Sequence, residues 1–222
     1  MDAKLLSIPA TVTGGAGSIY LGYQYLPIGN QKVSIKSKLG DLLLKFDEGF
    51  TEKWKVRATL VSSKEDLPDS LKKLRTSSDN KTISDANIKK WCQEQIESEF
   101  TSETDPLFIS IRDYCTFNNK DKLGSKAISE ELTGNNIQQT GKWSKANQKL
   151  TSAQETGMRT VMKDIKAKLA ATAGTAGTAG TAGTAKDDKA LRTWCEGIYL
   201  AYFKGDEDAD FRDAKIYCVE SQ

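Results

Sequence analysis

Histidine is absent from this chain of 222 residues. That removes the side chain titrating nearest neutral pH, and with it the usual general base and the commonest metal ligand. Ser-His-Asp and Cys-His catalysis are excluded, as are zinc sites of mixed Cys/His type. An excess of one charge is also missing. The 32 basic and 30 acidic residues leave a net charge of +2 and are well interspersed, so no basic stripe is offered to a phosphate backbone. Nucleic acid is therefore not an expected partner. Close cysteine pairs are lacking too: Cys92, Cys115, Cys195 and Cys218 stand singly, which leaves no basis for a four-cysteine zinc site.

Several motifs begin and then fail. Gly15-Ala16-Gly17 opens like a dinucleotide-binding loop, but Tyr20 fills the position of its last glycine. Between Gly134 and Gly141-Lys142 the spacing is too long for a phosphate loop, and Trp143 stands where Ser or Thr would hold magnesium. Asp206, Asp208 and Asp210 start as a calcium loop does, yet Phe211 and Tyr217 occupy its glycine and glutamate positions. These three acids read instead as a turn that caps the following helix. Acidic pairs such as Glu130-Glu131 read as solvated surface. No catalytic residue, cofactor or metal ligand emerges, and the chain is read as non-enzymatic.

What is present is a repeat. At an offset of 103, Trp91-Cys92 falls on Trp194-Cys195, Phe100 on Phe203, Asp105 on Asp208, Phe108 on Phe211, Arg112 on Lys215, and Tyr114-Cys115 on Tyr217-Cys218. Upstream, Lys36-Ser37-Lys38-Leu39-Gly40 returns as Lys120-Asp121-Lys122-Leu123-Gly124 at offset 84, and Lys53-Trp54 as Lys142-Trp143 at offset 89. Self-similarity of this kind defines the architecture before any local reading. It gives a mainly α chain of two tandem helical repeats, 32–118 and 119–222, after an apolar segment, 1–31. The growing offset marks insertions in the second copy. The larger one contains a Thr-Ala-Gly tract, about 171–185, read as a flexible surface loop because it has almost nothing to bury. The matching place in the first copy, Arg75 to Ile83, is also polar.

Each copy should end in a helical hairpin. Ile88, Trp91, Cys92, Ile96 and Phe100 share one helical face, with Ser84 or Asp85 as cap. Thr101 to Asp105 forms the turn, and Pro106 opens the second arm, on which Phe108, Ile111 and Cys115 face together. In the second copy Leu191, Trp194, Cys195, Ile198, Tyr199 and Tyr202 make the stripe, and Gly205 to Asp208 the turn. The midpoint of each cysteine pair falls inside its turn, so antiparallel arms set the two cysteines level. Two readings stay open, a disulfide across each hairpin or buried thiols packed beside the tryptophans; a third, a reactive nucleophile, is disfavoured because no base or cationic cluster accompanies the cysteines in sequence. Elsewhere, Thr51 is a candidate cap for a helix carrying Trp54, Ala58 and Val61, and Pro68 opens a short helix with Leu67, Leu71 and Leu74. Ser152 to Glu155 reads as a capping box starting a helix with Met158, Val161, Met162, Ile165 and Leu169 on one face. Trp54 and Trp143 read as core anchors.

From Leu5 to Gln31 there is no charged residue, and Leu5 to Leu26 is long enough to cross a bilayer, which takes about 20 residues. Pro9 and several glycines dilute it, while Tyr20, Tyr23 and Tyr25 cluster at one end like an interfacial belt. An uncleaved anchor in membrane lipid, a cleaved signal peptide and an ordinary buried or irregular segment all remain open. Lys32, Lys36 and Lys38 after the segment favour a cytoplasmic body. The cysteine pattern favours an extracellular one and is given more weight, since the charge bias amounts to a few lysines.

The glycine-rich apolar start, K-x-K-L-G, the spaced Lys-Trp, then Trp-Cys, two phenylalanines and an aromatic-Cys ending, all given twice, resemble the uncharacterised paralogous protein families of haemotropic mycoplasmas. The likeness spans nearly the whole chain, although Tyr114 and Tyr217 stand where that family often has tryptophan. It implies a membrane-associated or surface-exposed protein that varies between paralogs, and no known enzymatic activity. The expectation is a membrane-anchored, non-enzymatic surface protein with a role in host contact or antigenic variation and an unknown protein partner. The alternative is a soluble intracellular helical binding module with reduced cysteines.

Overall fold

The computed structural model describes residues 32–75, 81–171 and 186–220, which belong to one compact unit beginning at Lys32. The segment expected to anchor the chain, 1–31, lies outside the described residues, as do 172–185 of the Thr-Ala-Gly tract and 76–80 of the corresponding stretch in the first copy.

The chain is mainly helical, and the order of elements is given twice. In the first half α1 (Ile35–Leu39) runs into a 3-10 turn (Gly40–Leu42), followed by a second such turn (Glu48–Phe50), α2 (Thr51–Ser62), α3 (Asp69–Lys72), α4 (Asp85–Gln95) and α5 (Pro106–Cys115). In the second half α6 (Asn119–Leu123) again runs into a 3-10 turn (Gly124–Lys126), followed by α7 (Lys142–Ser152), α8 (Thr160–Ala170), α9 (Ala190–Leu200) and α10 (Ala209–Tyr217). The K-x-K-L-G motif has a backbone reason. Gly40 and Gly124 end the two short helices at φ +50° and +61°, where a side chain would be strained.

Two apolar clusters form, one per half. Ile35, Leu44, Trp54, Val61, Ile88, Cys92, Phe108 and Cys115 lie in the first; Ile128, Trp143, Leu150, Leu191, Cys195, Phe211 and Cys218 lie in the second. Trp54 and Trp143 are the largest fully buried side chains. Each indole donates to a backbone carbonyl in the loop ahead of its helix, Trp54 to Lys45 at 3.0 Å and Trp143 to Glu130 at 3.1 Å. These two indoles are thus buried without a stranded N–H.

The hairpins form as read, with one difference in length. α4 ends at Gln95 and α9 at Leu200, so Phe100 and Tyr202 lie beyond their helices. The chain there turns extended because its backbone pairs with the residues just ahead of α1 and of α6. Phe100 N–H donates to the Val33 carbonyl at 2.7 Å, and Phe203 N–H to that of Phe117 at 2.8 Å. Antiparallel bridges Ser34–Glu99 and Leu43–Thr116 recur as Asn118–Tyr202 and Ala127–Val219. Asp105 and Asp208 cap the second arms, with side-chain oxygens accepting from Leu107 N–H at 2.7 Å and Phe211 N–H at 3.1 Å.

Three readings of helix starts and surface residues need correction. Thr51 is the first residue of α2 and not its cap; its hydroxyl donates to the Glu48 carbonyl at 2.8 Å. Ser152 to Glu155 does not start a helix. Ser152 is the last residue of α7, whose buried Leu150 carries that helix on, and α8 begins at Thr160 after a turn holding Gly157 at φ +76°. Glu130 is not a solvated surface acid. Its carboxylate accepts from Lys142 N–H at 2.9 Å and Trp143 N–H at 3.2 Å, so it caps α7 from a distant loop.

Candidate functional site

The four cysteines meet in pairs. Cys92 on α4 is joined to Cys115 at the end of α5, and Cys195 on α9 to Cys218 just past α10. The Cα–Cα distances are 5.7 and 5.6 Å, inside the range a disulfide needs. All four are fully buried, and no free thiol remains. The phenylalanines flanking each turn close it from the other side: Phe100 meets Phe108 edge-on at 4.9 Å, and Phe203 meets Phe211 at 4.8 Å. Trp91 is buried beside its cystine, whereas Trp194 is only half-buried against the second cluster. These four residues therefore form two structural clasps. A disulfide sulfur is not a nucleophile, so the clasps offer no thiolate.

The second feature lies where the halves join. Thr116-Phe117-Asn118 serves both at once. Phe117 N–H donates back to the Leu42 carbonyl at 2.8 Å, while the Phe117 carbonyl accepts from Phe203 N–H in the second half. Beside it, Arg57 of α2 is wholly buried and pairs with Asp121 of α6, donating also to the Thr116 carbonyl at 2.9 Å. Lys53 reaches the same carboxylate at 3.3 Å. Asp121 further accepts from Asn118 N–H at 3.0 Å, completing a capping box on α6. The Arg112 guanidinium stacks on the Tyr202 ring at 4.4 Å. Above this contact opens a cleft of about 450 Å³, lined by Leu60, Lys64, Arg112, Tyr114, Leu200 and Tyr202. Leu200 is 46% exposed there.

Sequence reading missed Arg57, although a signal was available. It shares the stripe of Trp54, Ala58 and Val61, where a charge is out of place unless it has a buried partner. Asp121 gave no such signal, because nothing local reveals that it faces α2.

The titratable groups are engaged in structure. Burial pushes the Tyr199 phenol well above its usual range, and its hydroxyl donates to the Cys218 carbonyl. Burial likewise raises Asp213, a shift that Arg159 opposes. Arg159 bridges Asp210 at 2.7 Å and Asp213 at 2.9 Å, tying the start of α8 to α10. The Asp105 carboxyl is held below its usual range, first by the Thr101 hydroxyl and then by the Leu107 N–H. Of the acids that opened like a calcium loop, Asp206 pairs with Lys215, Asp208 caps α10 and Asp210 binds Arg159. Among the described residues no group of three or more acids or cysteines is placed to hold a metal. No helix among them is long and apolar enough to cross a membrane.

No protein-family model, curated protein or solved structure matches the chain.

Proposed function

We propose that the chain is a non-enzymatic surface protein, held to the membrane by its apolar N-terminal segment and exposing two disulfide-clasped helical halves as a host-contact scaffold. The observation that carries this reading is the pair of cystines. Disulfides persist in oxidising surroundings and are rare where glutathione and thioredoxin keep thiols reduced. Each would contribute about 3 kcal/mol by restricting the unfolded chain, a large share of the stability of a body with small apolar clusters. The polar stretches between α3 and α4 and between α8 and α9 fall at corresponding places in the two halves. Leu74 and Ile83 apart, their sequences carry no large apolar side chain, which suits a protein that varies on its surface.

The test is protease treatment of intact cells, followed by detection of the chain. The expected outcome is loss of the full-length species, with a membrane-bound N-terminal remnant on fractionation. Full protection on intact cells, with digestion only after lysis, would overturn the reading and favour an intracellular binding module.

A further inference from the structure

A further cleft lies on the second half. It measures about 710 Å³, and Lys122, Lys126, Lys149 and Lys215 line it from α6, the following 3-10 turn, α7 and α10. Its one acid, Glu220, is occupied by Lys142 at 2.5 Å. The lysine charges are largely uncancelled. Lys149 donates to the Ile216 carbonyl at 2.7 Å, which is neutral. Lys122 sits over the rings of Phe117 at 4.1 Å and Phe203 at 5.0 Å. Lys126 has no ion pair among the described residues, and Lys215 lies over the Phe211 ring at 5.1 Å and pairs with the exposed Asp206 at 3.2 Å.

The repeat shows how this face differs from its twin. By the offsets above, Lys126 corresponds to Leu42, Lys149 to Leu60 and Lys215 to Arg112. In the first half those three lie on the face that receives the second half: Leu42 packs on the second cluster, and Leu60 and Arg112 line the cleft between the halves. Among the other lining positions, Ser125 stands where the first half has Asp41, and Glu220 where it has Phe117. A terminal repeat needs a polar outer face for solubility, and charges of both signs would supply it. Here two leucines are matched by lysines and an aspartate by serine, while the one acid gained, Glu220, is taken up by Lys142 from outside the cleft, so positive charge is in excess in this concavity.

We propose that this cleft binds a sulfated polysaccharide. A concave low-dielectric surface of one sign focuses its field on an oppositely charged ligand. Lysine ammoniums act as point charges without a fixed fork, which suits sulfate esters spaced along a flexible chain. Among the described residues no aromatic ring lines the cleft to stack a base, so a single-stranded nucleic acid lacks its usual platform. The inference stands apart from the surface reading, because it concerns the purified chain whatever its location.

Titration of the full chain with heparin tests it. Saturable binding is expected, weakening as salt is raised from about 50 to about 200 mM, and falling about tenfold in each of the K126A/K149A and K126A/K215A variants. The control K72A/K90A removes two exposed charges from the first half and should bind like the parent. Circular dichroism of each variant separates a lost site from a lost fold. The proposal is overturned by absence of saturable binding, by an equal loss in the control, or by tighter binding of single-stranded DNA or anionic vesicles than of heparin.

Discussion

Single residues here act through small acceptors placed far away in the sequence. A Cβ on Gly141 would come within 2.4 Å of the Glu130 carboxylate, so the glycine exists to let that carboxylate reach the first turn of α7. Its φ is −75°, ordinary for any residue, and the constraint is one of space alone. Gly141→Ala should therefore displace the cap and cost about 1 kcal/mol, and Glu130→Ala should cost about the same. Because both remove one interaction, the double variant should be little worse than either single one, which thermal unfolding of the three proteins would show. Additive losses would mean that Glu130 and Gly141 act separately. Sequence alone pointed the other way at both positions. Glu130 was read as surface because its partners are backbone N–H groups that composition does not display. Gly141 drew attention only as part of a failed phosphate loop, although the helix start there does hold an anion, namely the chain's own carboxylate.

Helices show a clearer link between pattern and structure, and the exceptions have physical causes. The arms of each hairpin were legible from apolar spacing, from Pro106 and from the capping aspartates, since those signals are local. The ends of α4 and α9 were not, because Phe100 and Phe203 are drawn out of the helix by hydrogen bonds to the distant carbonyls of Val33 and Phe117. The α7–α8 turn misled for a related reason: a Ser-x-x-Glu pattern is short, and burial of Leu150 outweighs it. Between α2 and α6 the buried Arg57–Asp121 pair gives an asymmetric expectation. Removing Asp121 leaves a wholly buried guanidinium with only the Thr116 carbonyl, whereas removing Arg57 still leaves Asp121 with Lys53. Asp121→Ala should cost about 3–5 kcal/mol, and Arg57→Met distinctly less. Chemical denaturation of both variants checks the order; the reverse order would show that Lys53 does not hold the carboxylate.

At the scale of the whole molecule, the duplication organises everything else. The recurrent bridges, the paired indoles, the two left-handed glycines and the two cystines all repeat at the offsets read from the sequence. The seam between copies was much less legible. A boundary at residue 118 divides the repeats on paper, but Phe117 belongs to both halves, its N–H bonded to one and its carbonyl to the other. The basic cleft was hidden for the same reason, since its four lysines are scattered from 122 to 215 and converge only through folding. Composition is near neutral, whereas four lysines and one ion-paired acid line a single concavity. The central claim is that each copy is closed by its own cystine. Peptide mapping of the native protein by mass spectrometry, without reduction and after blocking free thiols, tests it most directly. Crosslinked peptides joining Cys92 to Cys115 and Cys195 to Cys218 are the predicted result; four blocked thiols, or a bond between the copies, would contradict it.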